Sequence, residues 1–216
     1  MSNDSDLQLA VLAELNWEPS IVAAHIGVTA RDGVVALSGH VSSFVQKHAA
    51  LDAARRVKGV LAVAEALDVE LPFDHQRDDE QIATAALDRL SWDVSVPRDA
   101  IQLVVEQGWV TMSGTVDWYF QKDAAEKAIR PLVGVVGISD QVLITPTLDT
   151  GDISDRISIA LNRSGLLDPA TIQVAAKAGD VTLSGTVRGW HDRMVAAETA
   201  WAAPGVTHVE NAILVV

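Results

Sequence analysis

The sequence predicts an α+β protein of three tandem small units. Each unit runs helix–strand–strand–helix–strand, with two helices on one face of a three-stranded mixed sheet. Two observations carry this. First, one heptapeptide recurs as Val35-Ala-Leu-Ser-Gly-His-Val41, Val110-Thr-Met-Ser-Gly-Thr-Val116 and Val181-Thr-Leu-Ser-Gly-Thr-Val187. Its glycines are Gly39, Gly114 and Gly185. Each is preceded at one fixed offset by Gly33, Gly108 or Gly179, and followed at another by Gly59-Val60, Gly134-Val135 or Gly205-Val206. Fixed offsets kept through three copies are the signature of a repeated unit. Second, the apolar spacing changes from helical to alternating at the same points of each copy. The copies span residues 4–71, 77–146 and 150–216, joined by proline-bearing acidic segments at Pro72–Glu80 and Thr145–Asp152.

Each copy opens with a helix. Leu7, Val11 and Leu15 stand at i, i+4 and i+8, as do Ile82, Ala86 and Leu90, and Ile153, Ile157 and Leu161. This spacing makes one apolar stripe. Ser5, Asp79 and Asp152 are placed to cap these helices. A strand follows, in which Ile26 and Val28, Ile101 and Leu103, and Ile172 and Val174 alternate with polar neighbours. The glycine at 33, 108 or 179 then turns the chain into the heptapeptide strand, giving an antiparallel hairpin. Val35, Leu37 and Val41 face one way, and Ala36, Ser38 and His40 the other. A second helix buries Val45, Ala49, Ala53 and Val57 in copy one. Copy two buries Phe120, Ala124, Ala125, Ala128, Ile129 and Leu132, and copy three Val195, Ala196, Ala200 and Ala203. The Gly-Val pair provides a C-cap glycine. Val63, Leu67 and Val69, with their counterparts, form the closing strand.

Composition excludes several functions. The chain has 216 residues and a net charge of −13, from 16 Lys plus Arg against 29 Asp plus Glu. A duplex-binding protein needs clustered cations to neutralise phosphates, so nucleic acid is not an expected partner. The same acidity opposes docking on a strongly anionic membrane. Without cysteine, disulfides, thiolate chemistry and cysteine-based metal sites are ruled out. The opening residues lack the basic start and apolar core of a secretory signal. No stretch reaches the ~18 apolar residues of a membrane span. The expectation is a cytoplasmic, soluble protein without a transmembrane segment.

Chemistry is sparse. Ser38, Ser113 and Ser184 recur, but no Gly-x-Ser-x-Gly elbow surrounds them. No phosphate-binding glycine loop is present, and Gly134-Val-Val-Gly137 reads as a cap and a turn. The six histidines do not recur between copies and show no zinc-ligand spacing. No catalytic residue, metal ligand or cofactor is expected. Tryptophans are the more informative residues. Trp17 and Trp92 occupy equivalent places after the first helix, where Arg163 stands in copy three, and are expected to pack at the helix–strand junction. Trp190, aligned with Phe44 and Tyr119, is expected in the core. Trp109 and Trp118 have no aromatic counterparts in the other copies and are the candidate interaction surface.

The element order, the Val-x-Leu-Ser-Gly-x-Val motif and the closing run Val209-Glu-Asn-Ala-Ile-Leu-Val215 resemble the BON domain. That bacterial module is named for an osmotically induced periplasmic protein and nodulation proteins. Copies one and two depart from the closing pattern, with Glu65 and Asp140 where copy three has Asn211. The resemblance implies a non-catalytic binding module, associated with phospholipid interaction, envelope maintenance and osmotic stress, and in one context with potassium sensing. Two readings follow. The chain docks on a phospholipid surface or a protein partner. Alternatively it is a soluble sensor holding potassium or a small ligand.

Overall fold

The computed structural model describes residues 3–145, 153–163 and 171–216. Among them the element order is α1 (Asn3–Trp17), β1 (Ile26–Arg31), β2 (Val34–Val41), α2 (Phe44–Arg56), β3 (Ala62–Val69), α3 (Asp79–Trp92), β4 (Ile101–Glu106), β5 (Trp109–Val116), α4 (Tyr119–Ile129), β6 (Gly137–Ile144), α5 (Ile153–Arg163), β7 (Ile172–Lys177), β8 (Asp180–Val187), α6 (Trp190–Trp201) and β9 (His208–Val215). The protein is therefore α+β, with one helix–strand–strand–helix–strand pattern repeated three times. The sheets run in the orders β1-β2-β3, β4-β5-β6 and β7-β8-β9. Chain contacts divide the protein into two compact units. One holds Met1–Leu90, Leu103–Thr111 and Lys127–Ser139, the other Ser91–Gln102, Met112–Glu126 and Asp140–Val216.

In the first repeat, β1 pairs antiparallel with β2, with Ile26 opposite Gly39 and Arg31 opposite Val34. β2 pairs parallel with β3, with Val34 opposite Ala62 and Val41 opposite Val69. The third repeat has the same registers, Ile172 opposite Gly185 and Val181 opposite Val209. Period two on the strands then sends one face to the helices. Val35, Leu37 and Leu67 of the first sheet form one buried cluster with Leu7, Val11 and Leu15 of α1 and Ala50, Ala53 and Ala54 of α2. In the third repeat Val181, Leu183 and Ile213 do so with Ile157, Leu161, Ala196 and Ala200. Alanines on the second helix of each repeat let that helix lie close to the sheet. Two of the expected inward residues, Val45 and Phe120, are exposed, whereas Ala50, Ala53 and Ala54 of α2 and Ala125, Ala128 and Ile129 of α4 are buried.

Two glycine positions explain the recurring motif. At the hairpin tips Asp32-Gly33, Gln107-Gly108 and Ala178-Gly179 all have positive φ, the paired left-handed residues of a type I′ turn. The heptapeptide glycine has a different reason. A Cβ on Gly39, Gly114 or Gly185, each at positive φ, would run into the carbonyl of His25, Ala100 or Thr171 just before the first strand. A side chain there would push the hairpin apart at its open end. The later glycines, Gly59, Gly134 and Gly205, also have positive φ. They lie in the turns after the second helices rather than directly at the helix ends, because those helices stop at Arg56, Ile129 and Trp201.

The caps also differ from expectation. Ser5 lies inside α1, and Asp152 lies outside the described residues. Asp78 accepts from the Gln81 amide at 2.8 Å and so caps α3. Asp79 accepts instead from the amides of Gln107 and Gly108, each at 2.8 Å, and Asp4 accepts from the Asp32 amide at 2.9 Å. The first turn of the helix is thereby tied to the hairpin tip in repeats one and two.

Candidate functional site

Trp109 opens β5 and is 48% exposed. It stands on the sheet face away from the helices, where its six-membered ring leaves no room for a side chain on Gly137. Gly137 therefore starts β6 rather than forming a turn, and the indole covers it. Trp118 lies between β5 and α4 and is 37% exposed. Its amide, with that of Asp117, donates to Gln121 Oε1 at 3.1 and 3.0 Å. The Trp109 indole is thus partly covered by its own repeat.

The most exposed indoles are elsewhere. Trp17 is 82% exposed and Trp92 85%. Their expected packing at the helix–strand junction does not occur. Each is the last residue of its helix, two residues past the stripes that end at Leu15 and Leu90. On α1 the outward residues Leu9, Ala13 and Trp17 form a second apolar line at i, i+4 and i+8, opposite the buried one. Trp190 is half-buried rather than in the core, with the Arg193 guanidinium carbon 5.0 Å from its ring centroid.

Trp201 is half-buried and stacks on Tyr119, with centroids 4.2 Å apart and planes at 13°. Burial raises the Tyr119 phenol above its ordinary 10.0, and the carboxylates of Asp123, Glu126, Glu198 and Asp140 push the same way. A phenolate there loses solvation and meets like charge.

A cavity of about 380 Å³ lies at one end of the first repeat, with His25, His40, Ser42, Gln46 and Glu70 in its wall. The imidazoles of His25 and His40 stack at 4.5 Å, and His40 Nε2 is 4.0 Å from Glu70 Oε2. The other repeats carry Ala100 and Thr115, or Thr171 and Thr186, at the histidine positions. Among the described residues no cluster of three metal-ligating side chains has the geometry to hold an ion, and no helix is long and apolar enough to cross a membrane.

One repeated polar device escaped the sequence reading. Lys47 Nζ donates to the Leu67 carbonyl at 2.8 Å and lies 3.0 Å from Glu65 Oε1. Glu65 Oε1 accepts from the Leu67 amide at 2.6 Å. Lys122 repeats this with Val142 and Asp140, at 2.7 and 3.4 Å. In repeat three Arg193 donates to the carbonyls of Ile213 and Asn211 at 2.9 and 2.6 Å. The differing residues Glu65, Asp140 and Asn211 therefore share one role. The spacing of Lys47, Lys122 and Arg193, equal to that of the motif glycines, was the available signal.

A sequence profile described as BON domain matches residues 3–70, 78–146 and 149–216. Osmotically-inducible protein Y of Escherichia coli (strain K12) is 30% identical over 144 residues, covering 65% of this chain and 72% of that protein. Among solved structures, the C-terminal domain of CdsD, a structural protein of the type III secretion system of Chlamydia trachomatis, aligns over 100% of both chains at 17% identity and a TM-score of 0.27. With three profile matches spanning nearly its whole length, the chain belongs to the BON domain family and is built of three tandem BON domains.

Proposed function

We propose that this protein is a non-catalytic docking protein of the osmotic or envelope stress response. Its three BON domains, with boundaries at 4–71, 77–146 and 150–216, act as one multivalent binder. Its target is a phospholipid surface of low negative charge. The observation that carries this is the exposure of Trp17 and Trp92, 82% and 85%, at equivalent helix ends. Indoles seat well at a membrane–water boundary, where the ring meets apolar chains and the N–H stays wet. The half-exposed Trp109 and Trp118 add contact area in the second domain. A net charge of −13 disfavours an anionic surface, so attachment rests on apolar insertion. The stress context is supported by the likeness to osmotically-inducible protein Y.

The test is co-sedimentation with zwitterionic and anionic vesicles at low and moderate salt. Apolar docking gives binding to zwitterionic vesicles that salt leaves unchanged, since screening acts on charge alone. Absence of binding to both vesicle types overturns the phospholipid reading and moves the target to a protein partner.

A further inference from the structure

Among the described residues, side chains occupy an outward backbone group on five of the six sheet edges. On β3 the Glu70 amide just past the strand end reaches the Val41 carbonyl of β2, so by alternation the amide and carbonyl of Leu67 point away from the sheet. Those are the groups Glu65 and Lys47 occupy. Asp140 and Lys122 do the same at Val142, and Asn211 and Arg193 at Ile213. The opposite edges are the first strands. Gln8 Nε2 donates to the Val28 carbonyl of β1 at 2.7 Å, and Ser154 Oγ to the Val174 carbonyl of β7 at 2.8 Å. By the spacing of the repeats the equivalent of Gln8 and Ser154 is Ala83, whose side chain has no donor, and the equivalent of Val28 and Val174 is Leu103 of β4. An unprotected edge is a template for strand addition.

We propose that the β4 edge pairs antiparallel with the β4 edge of a second copy of this chain, joining two sheets into one. The strand's own sequence selects this occupant. The Thr115 amide bonds to the Ala100 carbonyl, so by alternation Ile101, Leu103 and Val105 turn their backbone groups outward. Pairing centred on Leu103 sets Leu103 against Leu103 and Ile101 against Val105. It sets Gln102 against Val104, which is 55% exposed. The strand's single charge, Glu106, then faces Ala100 of the other copy. No like charges meet, although both copies are acidic, and a two-fold axis makes the contact self-complementary.

Sedimentation equilibrium of the full chain over a range of concentrations tests this. The expected species has twice the 23.0 kDa chain mass. Two variants locate the contact. Ala83→Gln supplies the donor used in repeat one, and Val104→Lys places a charge on the edge. Each is expected to shift the chain to the monomer mass while its far-UV circular dichroism stays that of the folded parent. Hydrogen exchange at Leu103 and Val105 should slow as concentration rises in the parent only. A parent that is monomeric throughout, or a dimer that persists in both variants, overturns the proposal.

Discussion

Lys47 Nζ sits 3.0 Å from Glu65 Oε1 and caps the carbonyl of Leu67 two residues further along the strand. Glu65 lies opposite Leu37 in the register, so its side chain is on the helix-covered face of the edge strand. The two side chains are 21% and 26% exposed. An inward-pointing charge is one way natural sheets keep an edge from recruiting further strands. Here the charge is met by a cation from the second helix, which also fixes that helix over the strand.

Removing one partner should be costly. Lys47→Met leaves a carboxylate without its cation and the Leu67 carbonyl without a donor, a loss of about 1–3 kcal/mol by the usual worth of charged hydrogen bonds. The paired exchange Lys47→Arg with Glu65→Asn installs the arrangement of repeat three and should recover most of that loss. Urea unfolding of the single and paired variants measures it. A paired variant no more stable than Lys47→Met contradicts the shared role.

The third hairpin tip carries Ala178 at φ 51° where the others have Asp32 and Gln107. Left-handed backbone costs a Cβ-bearing residue about 1–2 kcal/mol, which asparagine and glycine largely avoid. Ala178→Gly or Ala178→Asn should raise the melting temperature. Gly185→Ala should lower it sharply, because its Cβ meets the Thr171 carbonyl.

Tyr119 is the single tyrosine of the chain, so tyrosinate absorbance reports it alone. Its midpoint should lie above 10.0, because burial opposes ionisation. A folded pKa above the unfolded one means the folded state binds more protons in that window. Tyr119 therefore contributes stability that is whole below pH 10.0 and is lost as pH rises through the folded midpoint. Trp201→Ala uncovers the phenol and should move the midpoint back toward 10.0; an unmoved midpoint contradicts the role of the stack.

Trp17→Ala and Trp92→Ala should leave stability within about 0.5 kcal/mol of the parent, as exposed positions usually do. Thermal melting checks this. A large loss would return these indoles to a packing role.

Much of the fold was legible because it rests on spacing. The Val35, Leu37, Val41 alternation and the Leu7, Val11, Leu15 stripe each follow from one elementary period. The positive-φ turns announced themselves through Gly33, Gly108 and Gly179. The proposed docking surface was legible only in part. Trp17 and Trp92 align with each other, but periodicity does not tell whether a terminal helix residue points in or out. Lys47 and Glu65 are far apart in sequence, and each alone looks like a solvated charge. Gly137 looked like a turn because its reason, the Trp109 ring, comes from the neighbouring strand.

Vesicle co-sedimentation of the parent chain beside the Trp17→Ala/Trp92→Ala double variant tests the docking account most directly. The account predicts that the folded parent pellets with zwitterionic vesicles at both salt concentrations and that the folded double variant stays in solution. Equal binding by the two chains, or none by the parent, would contradict it.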